Sequence, residues 1–193
     1  MKDIVDDILQ DSLKVKEQFI RECGDDLITL AKKIVASFTS DRKLLICGNG
    51  GSAANAQHIS SEFINRFEME RPPLPAISLS TDTSVITYIG NDCSFNDIFT
   101  KQIKAIGLEG DVLLAISTTG NSQNVISAAE TARDMGIFVA GLTGGKGGKL
   151  KDLCDFCLIV PSDRKARIQE THILAGHIIC RLVDYILFQG GDE

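Results

Sequence analysis

The sequence predicts a doubly wound α/β fold: a five-stranded parallel sheet with two N-terminal helices and a long C-terminal helix. Five short apolar runs recur along the chain, KLLIC (43–47), PAISLS (75–80), DVLLAIS (111–117), IFVAGLT (137–143) and FCLIV (156–160), with helical patterns between them. Nearly continuous apolar strands are covered on both faces, which crossover helices achieve in a parallel sheet. Right-handed crossovers then place ligands beyond the carboxyl ends of the strands, where strand order reverses.

Before the first strand, residues 3–22 and 26–39 carry apolar side chains at helical spacing (Ile4, Ile8, Leu9, Leu13; Leu27, Leu30, Ala31, Ile34, Val35). Gly24 and Asp25 are expected to break this stretch into two helices, whose stripes need the domain or a partner subunit to cover them. GNGGS follows the first strand and opens a helix over about 52–67. The turn at Pro72 and Pro73 leads into the second strand. Residues 82–89 and 96–106 read as helices separated by a GND turn at Gly90–Asp92. Further helices are expected at 122–135 and about 166–187.

A chain of 193 residues suits one domain, 1–193, with residues 1–40 as a helical segment packed on it or on a partner. Net charge is −6, which disfavours direct nucleic-acid binding, since that needs a basic face. Backbone amides can still hold a small anion in an acidic protein. No apolar run approaches a membrane span, and the N-terminus lacks the apolar core of a signal peptide. The six cysteines then read as reduced thiols of a cytoplasmic protein. Cys154 and Cys157 form a CxxC pair, open to a redox or zinc reading. No second pair stands at zinc-finger spacing, and Cys157 falls in a strand, which favours a structural role.

Three motifs carry chemistry. CGNGGS (47–52) lets the backbone turn tightly and approach a ligand, or is simply a strand-to-helix turn. It is neither the dinucleotide fingerprint nor a P-loop. ISTTGNS (116–122) ends the third strand with Ser117, Thr118, Thr119 and Ser122 at a helix N-terminus. Unpaired N–H groups and hydroxyls together suit a phosphate. Ser122 alone could be an N-cap, but four hydroxyls in six residues exceed what a cap needs. In NAQHISSEF, His58 and Glu62 are four apart and share a helical face. In ARIQETHILAGH, Gln169 and His177 lie broadly on one side. An imidazole with a carboxylate can move protons between carbon and oxygen, and the four residues could also bind a zinc-class ion. A His–Glu surface pair has the same spacing, and spacing does not choose between His172 and His177. Asp92 could bond sugar hydroxyls or serve the turn. Arg66 and Arg71 could assist an anion, or be solvated or ion-paired.

Taken together, CGNGGSAANAQHISSEF, TDTSVITYIGND, DVLLAISTTGNS, GLTGGKGG and ARIQETHILAGH resemble, in order, the sugar isomerase (SIS) domain and its phosphoheptose isomerase branch. The resemblance implies a flavodoxin-like sheet, a homotetramer with sites at subunit interfaces, and one zinc ion per subunit. It implies His58, Glu62, Gln169 and His177 as zinc ligands and Glu62 with His177 as the proton-transfer pair. Asn49, Gly50, Gly51, Glu62, Asn91, Asp92, Ser117, Thr118, Thr119, Ser122 and Gln169 match its substrate contacts, leaving His172 a supporting role. The implied reaction turns sedoheptulose 7-phosphate into D-glycero-D-manno-heptose 7-phosphate for lipopolysaccharide heptose. Many relatives carry Ser where Thr119 stands, and some carry Asp where Ala166 stands. SAANAQH, INRFE-ERP-LPAI and PS-R-ARIQE also resemble a non-enzymatic SIS-domain adaptor of the bacterial replication initiator DnaA. An adaptor needs no proton-transfer pair, and both its members are present here.

Overall fold

The computed structural model describes residues 1–190. The chain runs α1 (Lys2–Thr39), β1 (Leu44–Gly48), α2 (Gly51–Ile64), β2 (Ala76–Ser78), α3 (Thr83–Asp92), α4 (Thr100–Ile106), β3 (Val112–Ile116), α5 (Gln123–Asp134), β4 (Phe138–Gly144), β5 (Phe156–Val160) and α6 (Lys165–Phe188). Short 3₁₀ turns occupy Phe95–Asp97 and Leu150–Asp152. All strand pairs are parallel, in the order β2-β1-β3-β4-β5. This is the flavodoxin-like order, with its switch point between β1 and β3.

The apolar runs are explained by two cores, one on each face. Leu44, Ile46, Val112, Leu114, Ala140 and Leu142 face one side, with buried residues of α1, α2 and α6. Their neighbours Leu45, Cys47, Leu113, Ala115 and Val139 face the other, beneath α4 and α5. Successive side chains of a strand point to opposite faces, so a strand between two helical layers has no polar face to show.

The expected break at Gly24 is absent: α1 is one helix of 38 residues. Its buried stripe runs Val15, Phe19, Cys23, Leu27, Leu30, Ala31 and Ile34, in register straight through the glycine. Spacings of three and four residues keep one face on the core, and without a proline nothing forces a kink. A Cβ at Gly24 would meet nothing within 4 Å. Gly24→Ala is therefore expected to stabilise the fold by roughly 0.5–1 kcal/mol, read as a raised urea midpoint with unchanged slope. A bent linker at this point would give no gain.

The expected turn at Gly90–Asp92 is corrected as well, because these residues form the last turn of α3. Asp82 caps that helix, accepting from the Val85 amide at 2.9 Å.

By length and composition α6 could cross a membrane. Here it is a core helix packed on α1 and α2, and its buried positions include Arg167, His172 and Asp184. A Cβ on Gly176 would fall 2.5 Å from Cγ1 of Ile59. The bare glycine lets α6 approach α2 closely at this level, and that approach sets the spacing of the neighbouring His177 and His58.

Candidate active site

β1 and β3 lie side by side at the switch point, so the loops leaving their carboxyl ends face each other. A cavity of about 160 Å³ opens there, lined by Asn49, Ser52, Ser117, Thr118, Thr119, Ser122, Lys165 and Gln169. The first turns of α2, α5 and α6 border it, so three sets of unpaired N–H groups and three positive helix ends meet at one concavity. Lys165 adds a cation. Such an arrangement can hold an anion even in a protein of net negative charge.

Ser122 stands at the N-cap of α5 without making a side-chain cap bond; its Oγ lies 3.1 Å from Ser117 Oγ instead. The Ser122 hydroxyl bonds Ser117 at the cavity wall and leaves the helix uncapped, while Thr119 Oγ1 accepts from the Asn121 amide at 3.2 Å. Asn49 behaves differently from a simple ligand donor. Its amide is paired reciprocally with Asn124, both bonds at 2.8 Å, and so ties the β1 loop to α5. The cradle is backed by the GGKGG loop. Gly120, at φ +65°, presses against the Gly147 backbone, and Gly148 presses against the Thr119 carbonyl.

A second cluster lies further along α2. His58 Nε2 is 2.9 Å from His177 Nε2 and 3.4 Å from a Glu62 carboxylate oxygen. One ligand atom from each of the three lies within 4.8 Å of the others. The structure thus answers which histidine of α6 joins the site: His177, not His172. Two imidazole nitrogens and a carboxylate oxygen converging on one point match the donor preference of a zinc-class ion. The Phe67 ring packs on His177, with centroids 5.3 Å apart.

Gln169 is placed between the two regions in sequence but with the cradle in space. Its amide sits over Gly51, and its backbone carbonyl accepts from Asn55 Nδ2 at 3.2 Å. Asn91 and Asp92 are exposed at the end of α3, bonded to each other at 2.8 Å, and do not line the cavity. Arg71, left open by the sequence, proves to be ion-paired, and buried: its Nε donates to Asp184 Oδ1 at 2.7 Å. The sequence reading also passed over Ser52, Asn124, Phe67 and Lys165. Lys165 was readable as a cation near a helix start; the Asn49–Asn124 pair, 75 residues apart, had no local signal.

His172 is fully buried, and its Nε2 donates to the Thr143 carbonyl at 3.1 Å. The ring is therefore the neutral Nε2–H tautomer. Burial pushes its pKa down to about 4 from 6.5, against the smaller opposing pull of the Thr143 carbonyl. Between these values the unfolded chain takes up the proton that the folded chain refuses, so stability rises with pH there. The fold is expected to be fully stable above about pH 6.5 and to lose about 3 kcal/mol toward pH 4 from this group. Urea midpoints across that range check it, and the fall should be shallower in His172→Gln.

Cys154 and Cys157 both place their sulfurs against Gly141, at 2.7 and 3.0 Å from where its Cβ would be. All six cysteines are free thiols.

The sheet order, the hydroxyl cradle at its switch point and the neighbouring His/Glu/His group define an α/β phosphosugar-handling protein. A family model for the SIS domain matches residues 9–144, and the chain belongs to that family, within its phosphoheptose isomerase group. A phosphoheptose isomerase of Nitratidesulfovibrio vulgaris is 51% identical over 91% of this chain and 85% of its own length. One of Aneurinibacillus thermoaerophilus is 46% identical, covering 98% of this chain and 96% of the relative. The solved structure of a phosphoheptose isomerase from Francisella tularensis superposes with a TM-score of 0.91 at 43% identity, covering 94% of this chain and 97% of that one.

Proposed function

We propose that this chain, as a single SIS domain, isomerises sedoheptulose 7-phosphate to D-glycero-D-manno-heptose 7-phosphate through an enediol. One observation carries the reading: α2 begins at the anion cradle and carries His58 and Glu62 of the His/Glu/His cluster further along it. Ser52 at the cradle and His58 at the cluster are about 9 Å apart along α2. That is comparable with an extended seven-carbon sugar from its phosphate toward C1. Phosphoheptose isomerase relatives at 43–51% identity over most of the chain support the same substrate class.

Ser117, Thr118, Thr119 and Ser122, with the amides at the start of α5, hold the phosphate. Asn49, Gly50 and Gly51 shape the wall, and Gln169 faces the sugar. Glu62 takes the C1 proton while the His177 imidazole protonates the C2 oxygen, giving the enediol. The proton at O1 then leaves to the imidazole and Glu62 returns a proton to C2. Binding energy from the distant phosphate orients the reacting carbons. His58, Glu62 and His177 would hold a zinc ion, and Gln169, whose amide lies over Gly51 at the cradle, is the fourth donor the family resemblance implies. Such an ion supplies Lewis-acid polarisation of a carbonyl.

The first three turns of α1 support assembly, since Ile4, Val5, Ile8, Leu9 and Leu13 are 44–64% exposed along them. A homotetramer would cover them, and a neighbouring subunit would bring Asn91 and Asp92 to a site they do not reach within one chain. The protein would act in the cytoplasm, supplying heptose for lipopolysaccharide. The adaptor reading, binding to a replication initiator, has no observation in its favour.

Purified protein supplied with zinc should convert sedoheptulose 7-phosphate to the aldoheptose phosphate, followed by proton NMR. Chelation should slow the conversion and zinc should restore it. A zinc-replete protein that leaves the ketose unchanged overturns the proposal.

A further inference from the structure

Arg71 is the most completely engaged side chain near the site, yet it touches neither the cradle nor the His/Glu/His group. Its side chain is 0% exposed. Nε donates to Asp184 Oδ1 at 2.7 Å, on α6. One terminal nitrogen donates to the Glu62 carbonyl at 2.9 Å, and the other to the carbonyls of Phe63 at 2.8 Å and Pro72 at 3.1 Å. The guanidinium therefore satisfies carbonyls at the C-terminal end of α2, which have no partner within the helix. It also neutralises Asp184, a carboxylate 1% exposed whose second oxygen has no partner among the described residues.

These bonds tie Arg71 to both elements that carry the proposed catalytic pair, α2 through the Glu62 and Phe63 carbonyls and α6 through Asp184. Glu62 supplies the carbonyl that Arg71 holds. Asp184 lies seven residues after His177, two turns on, so the two are on the same face of α6. The strap from Asn65 to Glu70 leaves α2 and ends at Arg71, and on the way it lays Phe67 against the His177 ring. A rigid planar fork reaches all three anchors at once. A lysine, with one point charge, does not.

We propose that Arg71 is a positioning residue: it sets the separation of α2 and α6, and through the strap the orientation of His177, at which Glu62 and His177 face each other. This rests on the isomerase reading for its consequence in turnover, but not for its consequence in geometry. Arg71→Lys keeps the charge beside Asp184 and gives up the fork. Asp184→Asn keeps an oxygen for Nε and all the carbonyl bonds.

The test pairs kinetics on sedoheptulose 7-phosphate with proton–nitrogen NMR of the three histidine rings, assigned by single His→Gln variants. Arg71→Lys, folded by circular dichroism, is expected to lose at least tenfold in kcat with KM changed less than about threefold, because the cradle is untouched. Its His177 ring protons should lose the ring-current shift from Phe67, while His172 signals stay in place. Asp184→Asn should stay within about threefold of wild type in kcat. The proposal is overturned by a folded Arg71→Lys with wild-type kcat, by an unmoved His177 signal, or by a rate loss that only tracks the folded fraction. If wild-type protein turns over no heptose phosphate, the isomerase reading fails, and the His177 signal still decides whether Arg71 positions the ring.

Discussion

Glu62→Gln should leave the protein folded and reduce kcat for heptose phosphate isomerisation by roughly 10²–10⁴-fold, the usual worth of a positioned general acid–base group. The amide keeps the size of the carboxylate and an oxygen toward His58, which now stands 3.4 Å from it. The backbone carbonyl of residue 62 stays bonded to Arg71. What disappears is the capacity to carry a proton between C1 and C2. The comparison is made with saturating zinc, so that a weakened donor set does not masquerade as lost proton transfer. His177→Gln should fall less steeply if water can serve the oxygens, and the two losses should not add, since the residues act as a unit. A Glu62→Gln enzyme within about tenfold of wild type would remove Glu62 from the proton path.

Gly120→Ala should be the most damaging single methyl in the cradle. Its φ of +65° is left-handed, and an alanine there costs about 1–2 kcal/mol before any contact is counted. The new Cβ would also run into the Gly147 carbonyl. Backbone cannot rotate away as a side-chain tip can. The Thr119–Gly120 and Gly147–Gly148 segments would have to separate, carrying Thr118 and Thr119 with them. A total loss of about 2–4 kcal/mol is expected, seen as a melting point lower by about 5–15 °C. In whatever remains folded, KM should rise more than kcat falls. An unchanged melting point would mean that the two loops are not interlocked.

Much of this was legible in the sequence for reasons that can be stated. The strands were readable because each alternates between two apolar cores, and Ser117–Ser122 because hydroxyls far exceeded what capping requires. His58 and Glu62 were readable as neighbours because helical spacing fixes them on one face. Three features were not. Gly24 looked like a break, yet the buried stripe from Val15 to Ile34 stays in phase across it, and tertiary burial outweighs one glycine's propensity. The choice of His177 over His172 depends on where α6 crosses α2, which Gly176 and Ile59 decide. The role of Arg71 depends on Asp184, 113 residues away. Local patterns report faces and caps; contacts between distant segments are a property of the packed fold.

Calorimetry of sedoheptulose 7-phosphate on zinc-loaded Glu62→Gln separates holding the substrate from moving its proton. The phosphate cradle lies at the start of α2, and Glu62 of the proton-transfer pair lies nearly three turns further along that helix. The variant is expected to bind the sugar phosphate with a dissociation constant within a few-fold of the wild-type KM, while turning almost none of it over. Loss of binding in step with loss of turnover would show that Glu62 holds the substrate rather than moving its proton, and would contradict the account.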